Sequence, residues 1–397
     1  MSGLLSIEEA LQRVLVRAIA LEPEQVPVAA SAGRFLAEGV TARLDLPPFA
    51  SSAMDGYALR AGDTPGQLPV VARIAAGVPA GRALEAGEAM AISTGGAVPD
   101  GADAVVPIEL VVETDNRLDV PAPVDAGANV RPAGGDVRAG DVLLAAGTRI
   151  GAAQIGALAA AGVPEVSVSR RPRVVVLSTG TELRAPGESL GAGQIYESNA
   201  PMLAAALEAA GAEVERIGPV ADDESEHRRA LERGLEADVL VSSGGVSVGP
   251  HDLVRRILVE LGVEEDFWGV AVRPGKPLAF GARGRTLVFG LPGNPVSALV
   301  GVELFVRPAL LALQGAADPG PRYETARLTS PLRRNAARDE LARARTRRDP
   351  GGLLLTPVTG QESHMIARAA GADALVLVPS GEGELAAGET VRYLRLG

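Results

Sequence analysis

Apolar positions near the start of the chain recur at helical spacing. Ser6-Ile-Glu-Glu9 carries the Ser-x-x-Glu pattern whose side chains close a first helical turn reciprocally, and Ile7, Leu11, Val14, Leu15 and Ala18 follow on one face. An amphipathic helix with a wet opposite face is predicted there. A second helical piece is expected over 32–38. The stretch DLPPFASSAMDGYAL (45–59) combines two prolines with a Met-Asp-Gly turn, so it reads as a shaped, exposed loop leading into a strand near Tyr57.

From about residue 68 to 124 the pattern changes to alternation and short apolar runs between Gly/Pro turns, as in LPVVARIAAG, AMAISTGGAVPDGADAVVPIEL and LVVET. These predict a β-rich insert over 45–136, with GANVRPAGGD (127–136) leading out of it. GDVLLAAGTRIGAAQIGALAAAGV then supplies a strand-like turn and an Ala-rich helix, expected to pack beside the first helices. Residues 1–44 and 137–170 together read as a helical and extended stalk.

Arg170-Arg171-Pro172 marks a boundary. RVVVLSTG is a continuous β-branched run, the pattern of a strand buried on both faces in a parallel sheet. A helix near 200–210, the strand EVERIGPV, a helix over 224–235, the strand ADVLVSS and a helix near 253–261 follow. Strands in FWGVAV, LAFGA and TLVFG and a helix from Val296 complete the series. Over 171–317 this alternation predicts a doubly wound α/β domain, whose ligands lie beyond the carboxyl ends of the strands. Three distinctive loops fall there: STGTEL (178–183), SSGGVSVG (242–249) and GLPGNPVSA (290–298). In 318–397 the segments ARLTSPL, LLLTPV, ALVLVP and VRYLRLG alternate, with helical periodicity only near 365–370. A separate C-terminal β domain is predicted, making the chain a multidomain α/β protein.

Composition narrows the function. At 397 residues the chain has room for two to four domains, and 47% hydrophobic with 22% charged residues fits a soluble globular protein. The longest apolar runs fall short of the ~18 residues a membrane span needs. The N-terminus lacks the basic and cleavage features of an export signal, so a cytoplasmic location is expected. With no cysteine, disulfides, thiolate nucleophiles and Cys-ligated metals are excluded. Three scattered histidines offer no His-rich metal site; His227 and His251 read as ordinary surface or cap residues. A net charge of −11 disfavours nucleic acid and anionic membranes as partners. Any anion must be held by a local cluster.

One such cluster is visible. Of 38 basic residues only Lys276 is a lysine, and it stands between Gly275 and Pro277 in VRPGKPLAFG. Arginine serves elsewhere, so a position keeping the compact ammonium points to a role the guanidinium fork cannot fill. The Gly-rich loops SSGGVSVG, with Ser243, Gly244, Gly245 and Ser247, and GLPGNPVSA, with Asn294 and Ser297, can direct backbone N–H groups and a helix N-terminus at a phosphate or oxyanion. Lys276 and Arg273 would be its counter-charges. The P-loop and GxGxxG patterns are absent. Glu182, Asp222, Asp223 and Asp252 lie at or near the same strand ends, which suggests Mg²⁺ carried with substrate phosphates. Asp55, in its Met-Asp-Gly turn, has a structural reading on local grounds. Arg338, Arg343 and Ser363-His364 form a possible oxyanion clamp, while Arg343, Arg345, Arg347 and Arg348 read as a solvated face.

SAMDGYA, STGGAVPDGADAVV, NVRPAGGD, STGTEL, IYESN, SSGGVSVG, RPGKPLAFG and GLPGNPVSA stand in the order and spacing of the MoeA/gephyrin E-domain family, the molybdopterin molybdenumtransferases, which the whole chain resembles. The resemblance implies an L-shaped homodimer of stalk, β insert, molybdopterin-binding α/β domain and C-terminal β-barrel-like domain. It also implies insertion of molybdate into adenylylated molybdopterin with Mg²⁺ and release of AMP. By resemblance Glu182, Asp222 and Asp252 take the acidic roles, the two aspartates as metal ligands, and Lys276, Arg273 and Pro277 face the anions. Ser297, Arg338 and Ser363 look like contacts to molybdate, while Asp55 and Thr94 would enter the site from the partner subunit. The chain departs from the family pattern in having Arg273 for a lysine, Gly269 after Trp268, Gly96 for an alanine and GGD for GED at 134–136. Two other readings accompany it: the adenylylation of molybdopterin, performed by single-domain relatives of the α/β region, and a non-catalytic scaffold.

Overall fold

The structure, a computed structural model, describes residues 4–220, 223–244 and 253–396. The first helix spans Ile7–Arg17, and both capping-box bonds form: Glu9 N donates to Ser6 Oγ at 3.1 Å and Ser6 N to Glu9 Oε2 at 2.9 Å. It buries Ile7, Ala10 and Val14 in the same core as the central sheet, not beside the Ala-rich helix. That helix, Ala152–Ala160, instead buries Leu158 with Val28, Leu36, Ile150, Val166 and Val168, around the antiparallel strands Pro23–Pro27 and Glu165–Ser169. The helical piece expected over 32–38 does not form. Gly33 turns with φ +80°, and Leu36 and Ala37 give their N–H groups to Thr148 and Ser167 carbonyls. Long-range pairing overrides the short apolar spacing.

The insert is a six-stranded sheet in the order Ala104–Pro107, Gly56–Leu59, Ala89–Ile92, Gly66–Ile74, Arg117–Val120, Val112–Thr114. Both of its faces are covered: Tyr57 and Leu59 enter one apolar cluster, Ala58 and Met90 another. This sheet fixes the turn that carries Asp55 immediately before its second strand.

The central sheet runs Glu213–Val220, Arg173–Thr179, Val239–Ser243, Thr286–Leu291, Ala279–Arg283, Glu264–Trp268. Its first four strands pair in parallel, and only Ala279–Arg283 runs against the rest, pairing antiparallel with both its neighbours. Val174 and Val176 pack with Leu203 and Leu207 on one face, and Val175 and Leu177 with Leu231 and Ile257 on the other. Two-sided burial is why this strand reads as an unbroken apolar run. His227 is not on the surface: it is buried, its Nδ1 2.9 Å from the Asp223 carbonyl oxygen. Asp223 itself caps the helix Glu224–Gly234, accepting from Glu226 N at 2.9 Å.

A continuous helical segment of 19 residues, Pro295–Leu313, follows the sheet and is long and apolar enough to cross a membrane by length and composition. This run is longer than the apolar runs expected from the sequence. Of its most apolar window 78% is buried inside the protein, and Glu303 and Arg307 pair along it through two 2.8 Å hydrogen bonds. It is a core helix. A π-helical turn, Val302–Val306, precedes Pro308, which has no N–H to give the regular ladder.

Five C-terminal strands close on one another in the order Asp339–Asp349, Gly352–Pro357, Tyr323–Leu328, Thr390–Arg395, Ala374–Val378, and the last pairs back onto the first. This is a small β-barrel. The two-residue strand Val272–Arg273 leaves the α/β region and pairs in parallel with Asp339–Glu340. That short pairing stitches the barrel to the edge where the sequence places an anion site.

Candidate active site

The parallel register brings the ends of three strands level. Ser178 lies opposite Ser243, and Ser243 opposite Leu291. Gly244, at φ +91°, donates its N–H to the Leu291 carbonyl at 3.1 Å. A Cβ built on Gly244 would stand 3.2 Å from Thr179 Oγ1, and one on Gly293 would stand 3.9 Å from the Gly244 Cα. The three loops therefore converge on one point at the carboxyl edge, with glycine needed at Gly244 for both conformation and space. Glu182 is exposed and folds back toward Gly180, where a Cβ would meet its carboxylate at 2.7 Å.

Two buried polar residues hold these loops. Asn199, the first residue of the helix Asn199–Ala209, donates from Nδ2 to Ser243 Oγ at 2.7 Å and to the Gly293 carbonyl at 2.8 Å. Its Oδ1 is buried and finds no partner among the described residues. A buried orphan acceptor of this kind costs about 1–3 kcal/mol. Glu197, also buried, accepts from Asn199 N at 2.8 Å and Ala200 N at 2.9 Å, a carboxylate on the positive end of that helix. In the sequence IYESN stands out only as a motif, with no role evident for either residue. Their polar types opening an Ala-rich helix were the available signal.

On the neighbouring side, Asn294 precedes the helix beginning at Pro295, and Ser297 is buried in its first turn. The Ser363 carbonyl accepts from Val296 N at 3.0 Å, so the barrel's 360–365 segment is docked on this helix N-terminus. The backbone brings Gly275 beside Ser297: a Cβ there would lie 3.6 Å from the Ser297 carbonyl oxygen. Lys276 and Arg273 are both exposed, and Pro277 is half-buried. Lys276, Pro277, Ser297 and Ser363 are thus brought to one corner of the molecule.

Arg273 is not a free counter-charge. It donates to Glu340 Oε2 at 3.2 Å, as its pairing with the strand Asp339–Asp349 dictates. Burial pushes the Glu340 carboxyl above the usual range, while Arg273, Arg338 and Arg343 pull it down. Arg338 faces this acid, and its own N–H is held by Asn335 Oδ1 at 3.0 Å. With Arg333, Arg334 and Asn335, Arg273 also lines an open groove of about 710 Å³.

The expected solvated face holds for Arg345, Arg347 and Arg348, which are exposed, but fails for Arg343, which is 1% exposed. Its guanidinium donates to Gln361 Oε1 at 3.2 Å and to the carbonyls of Gly360 at 2.9 Å, Glu362 at 3.3 Å and Met365 at 3.3 Å. Arg343 is therefore the anchor of the Ser363 segment. Burial lowers its pKa, opposed by Glu362 and Glu340.

Asp55 and Thr94 form a separate group within the insert. Thr94 N donates to Asp55 Oδ1 at 2.7 Å, and both side chains are exposed. Asp222, Gly245, Ser247 and Asp252, along with His251, lie outside the described residues. Among the described residues no three His, Asp or Glu side chains are grouped so as to hold a metal ion.

Residues 5–162 match the MoeA N-terminal region (domain I and II), 175–312 a probable molybdopterin binding domain, and 325–396 the MoeA C-terminal region (domain IV). The chain is 39% identical over 393 residues to molybdopterin molybdenumtransferase 2 of Mycobacterium tuberculosis, covering 95% of this chain and 96% of that one. The chain belongs to the molybdopterin molybdenumtransferase (MoeA) family. The enzyme of the same name from Haemophilus influenzae is 33% identical over 398 residues, covering 98% of both chains. A solved MoeA structure from Pyrococcus horikoshii OT3 superimposes with a TM-score of 0.86 at 29% identity, covering 99% of this chain and 100% of that one. The convergent loops thus lie in the part of this family member that matches the molybdopterin binding domain. The Ser363 segment lies in domain IV.

Proposed function

We propose that this chain inserts molybdate into adenylylated molybdopterin with release of AMP, forming molybdenum cofactor in the cytoplasm. The observation that carries this reading is the corner where the unique Lys276 and the buried Ser297 meet the docked Ser363 segment, beside three converging loops. Pterin phosphate and molybdate are both anions, so bringing them together is costly without fixed donors. A helix N-terminus, Ser243 and Ser297 hydroxyls and the Lys276 ammonium would offset that repulsion, and holding the reactants in place supplies most of the acceleration. No side-chain nucleophile is required: an oxygen of molybdate can attack the pterin-side phosphorus as the P–O bond to AMP breaks, and the two dithiolene thiols lose their protons as their sulfurs take molybdenum from that oxygen, which stays on the pterin phosphate.

Mg²⁺ would neutralise the substrate phosphates, with Asp222 and Asp252 as the ligands this reading assigns and Glu182 as a further acid at the same edge. Asp55 and Thr94 would complete the site from the other subunit of a homodimer. Their exposure and mutual hydrogen bond support a preformed unit that projects from the insert.

The test is AMP release from adenylylated molybdopterin by the purified chain, with and without molybdate. Molybdate-dependent AMP release with cofactor formation is expected. ATP-dependent adenylylation of molybdopterin, with no response to molybdate, would replace this reading with the earlier step of the same chemistry.

A further inference from the structure

We propose that Asn199 is a positioning residue for the anionic end of the pterin substrate, setting Ser243 as a hydrogen-bond donor and turning the Gly293 carbonyl away from the site. The inference rests on the function proposed above. Asn199 Nδ2 can only donate, and it occupies both Ser243 Oγ and the Gly293 oxygen, at 2.7 and 2.8 Å. Ser243 Oγ makes no other hydrogen bond among the described residues, so its proton is left to point at a ligand. The Gly293 carbonyl, in the turn before the helix Pro295–Gly301, would otherwise offer lone pairs to an incoming phosphate. One amide thereby converts two acceptors at an anion site into one donor and one neutralised dipole.

The orientation of the amide is not free to change. Reversed, Oδ1 would face the Gly293 carbonyl, oxygen against oxygen. The side chain instead leaves Oδ1 buried and, among the described residues, unpartnered, with only 8% of the residue exposed. Glu197 fixes the backbone on which it stands by accepting from Asn199 N and Ala200 N. The arrangement keeps its orphan acceptor in order to present the two N–H groups.

The test is Asn199→Asp, nearly isosteric but with an acceptor facing both partners, measured beside Asn199→Ala, Ser243→Ala and the double variant Asn199→Asp/Ser243→Ala. Molybdopterin affinity is expected to fall by about tenfold or more in Asn199→Asp, the order of one lost hydrogen bond to a charged group. Asn199→Ala is expected to fall less, with kcat at saturating substrate changed far less than KM. In the double variant the effects should not add, because Asn199 acts through Ser243. Wild-type affinity in both Asn199 variants, or full additivity with Ser243→Ala, would overturn the proposal. If Asn199→Asp fails to fold, Asn199→Ala decides the outcome by the same affinity measurement. Failure of the wild-type chain to bind molybdopterin would count against the function itself, not against the role of Asn199 alone.

Discussion

Lys276 is the residue whose importance is legible without a structure, since its type is unique and its flanking glycine and proline constrain its backbone. Gly275 indeed adopts φ +118° beside Ser297. Replacing Lys276 with methionine keeps the stem and removes the ammonium from an exposed position, so the fold should be untouched. Cofactor formation is expected to fall by at least ~100-fold, the usual cost of one fixed electrostatic donor, with molybdopterin affinity retained. Single-turnover cofactor formation alongside a pterin-binding titration checks this, and wild-type insertion would remove Lys276 from the mechanism. Arg343 shows the opposite case. It sits in a run of arginines that resembles a wet surface, and only the tertiary structure reveals that one of the four is buried beneath the Ser363 segment and holds it. Asp55 was equally opaque, because accepting a backbone N–H in a turn is an ordinary structural task.

At the scale of elements, strands covered on both faces were readable and those carrying charge were not. Arg173–Thr179 and Val239–Ser243 announce themselves as apolar runs. Asp339–Asp349 is the longest strand described, yet DELARARTRRD hides it, because its buried positions include two charges with distant partners, Glu340 with Arg273 and Arg343 with the 360–365 segment. The strand Gly56–Leu59 offers a direct test of how an element positions chemistry. A Cβ on Gly56 would stand 2.0 Å from the Val106 carbonyl oxygen, across a buried strand pair. Gly56→Ala must separate those strands, at a cost of about 1–3 kcal/mol or more. It should also displace the neighbouring Asp55. Thermal melting should show the loss of stability, and cofactor formation should fall with it; an unchanged melt would mean the insert is looser than its packing indicates.

For the whole molecule, the separate regions are tied together by a few polar connections that no local pattern encodes. Arg170, just past the strand Glu165–Ser169, grips Asp238 through two 2.7 Å hydrogen bonds, and Asp238 also accepts from Arg173 N at 2.8 Å. Burial, the largest single effect, would raise the Asp238 pKa, but the hydrogen bonds and charges of Arg170 and Arg173 together outweigh it and the net shift is downward. A carboxyl depressed on folding stabilises the protein above its unfolded pKa of ~3.9, and that contribution is lost as pH falls through the folded value. Asp238→Asn should therefore be less stable than wild type at neutral pH, with the gap closing below about pH 4. Denaturant melts across that range check the sign, and a gap that widens in acid would contradict it. The central claim concerns the joined edge itself, where the α/β loops and the barrel share one anion site. Anomalous diffraction at the molybdenum edge from a molybdate-soaked crystal tests it most directly. A peak beside Lys276 at the N-terminus of the helix Pro295–Gly301, within reach of the Ser363 segment, is the predicted result. A peak elsewhere, with that corner holding only solvent, would contradict the account.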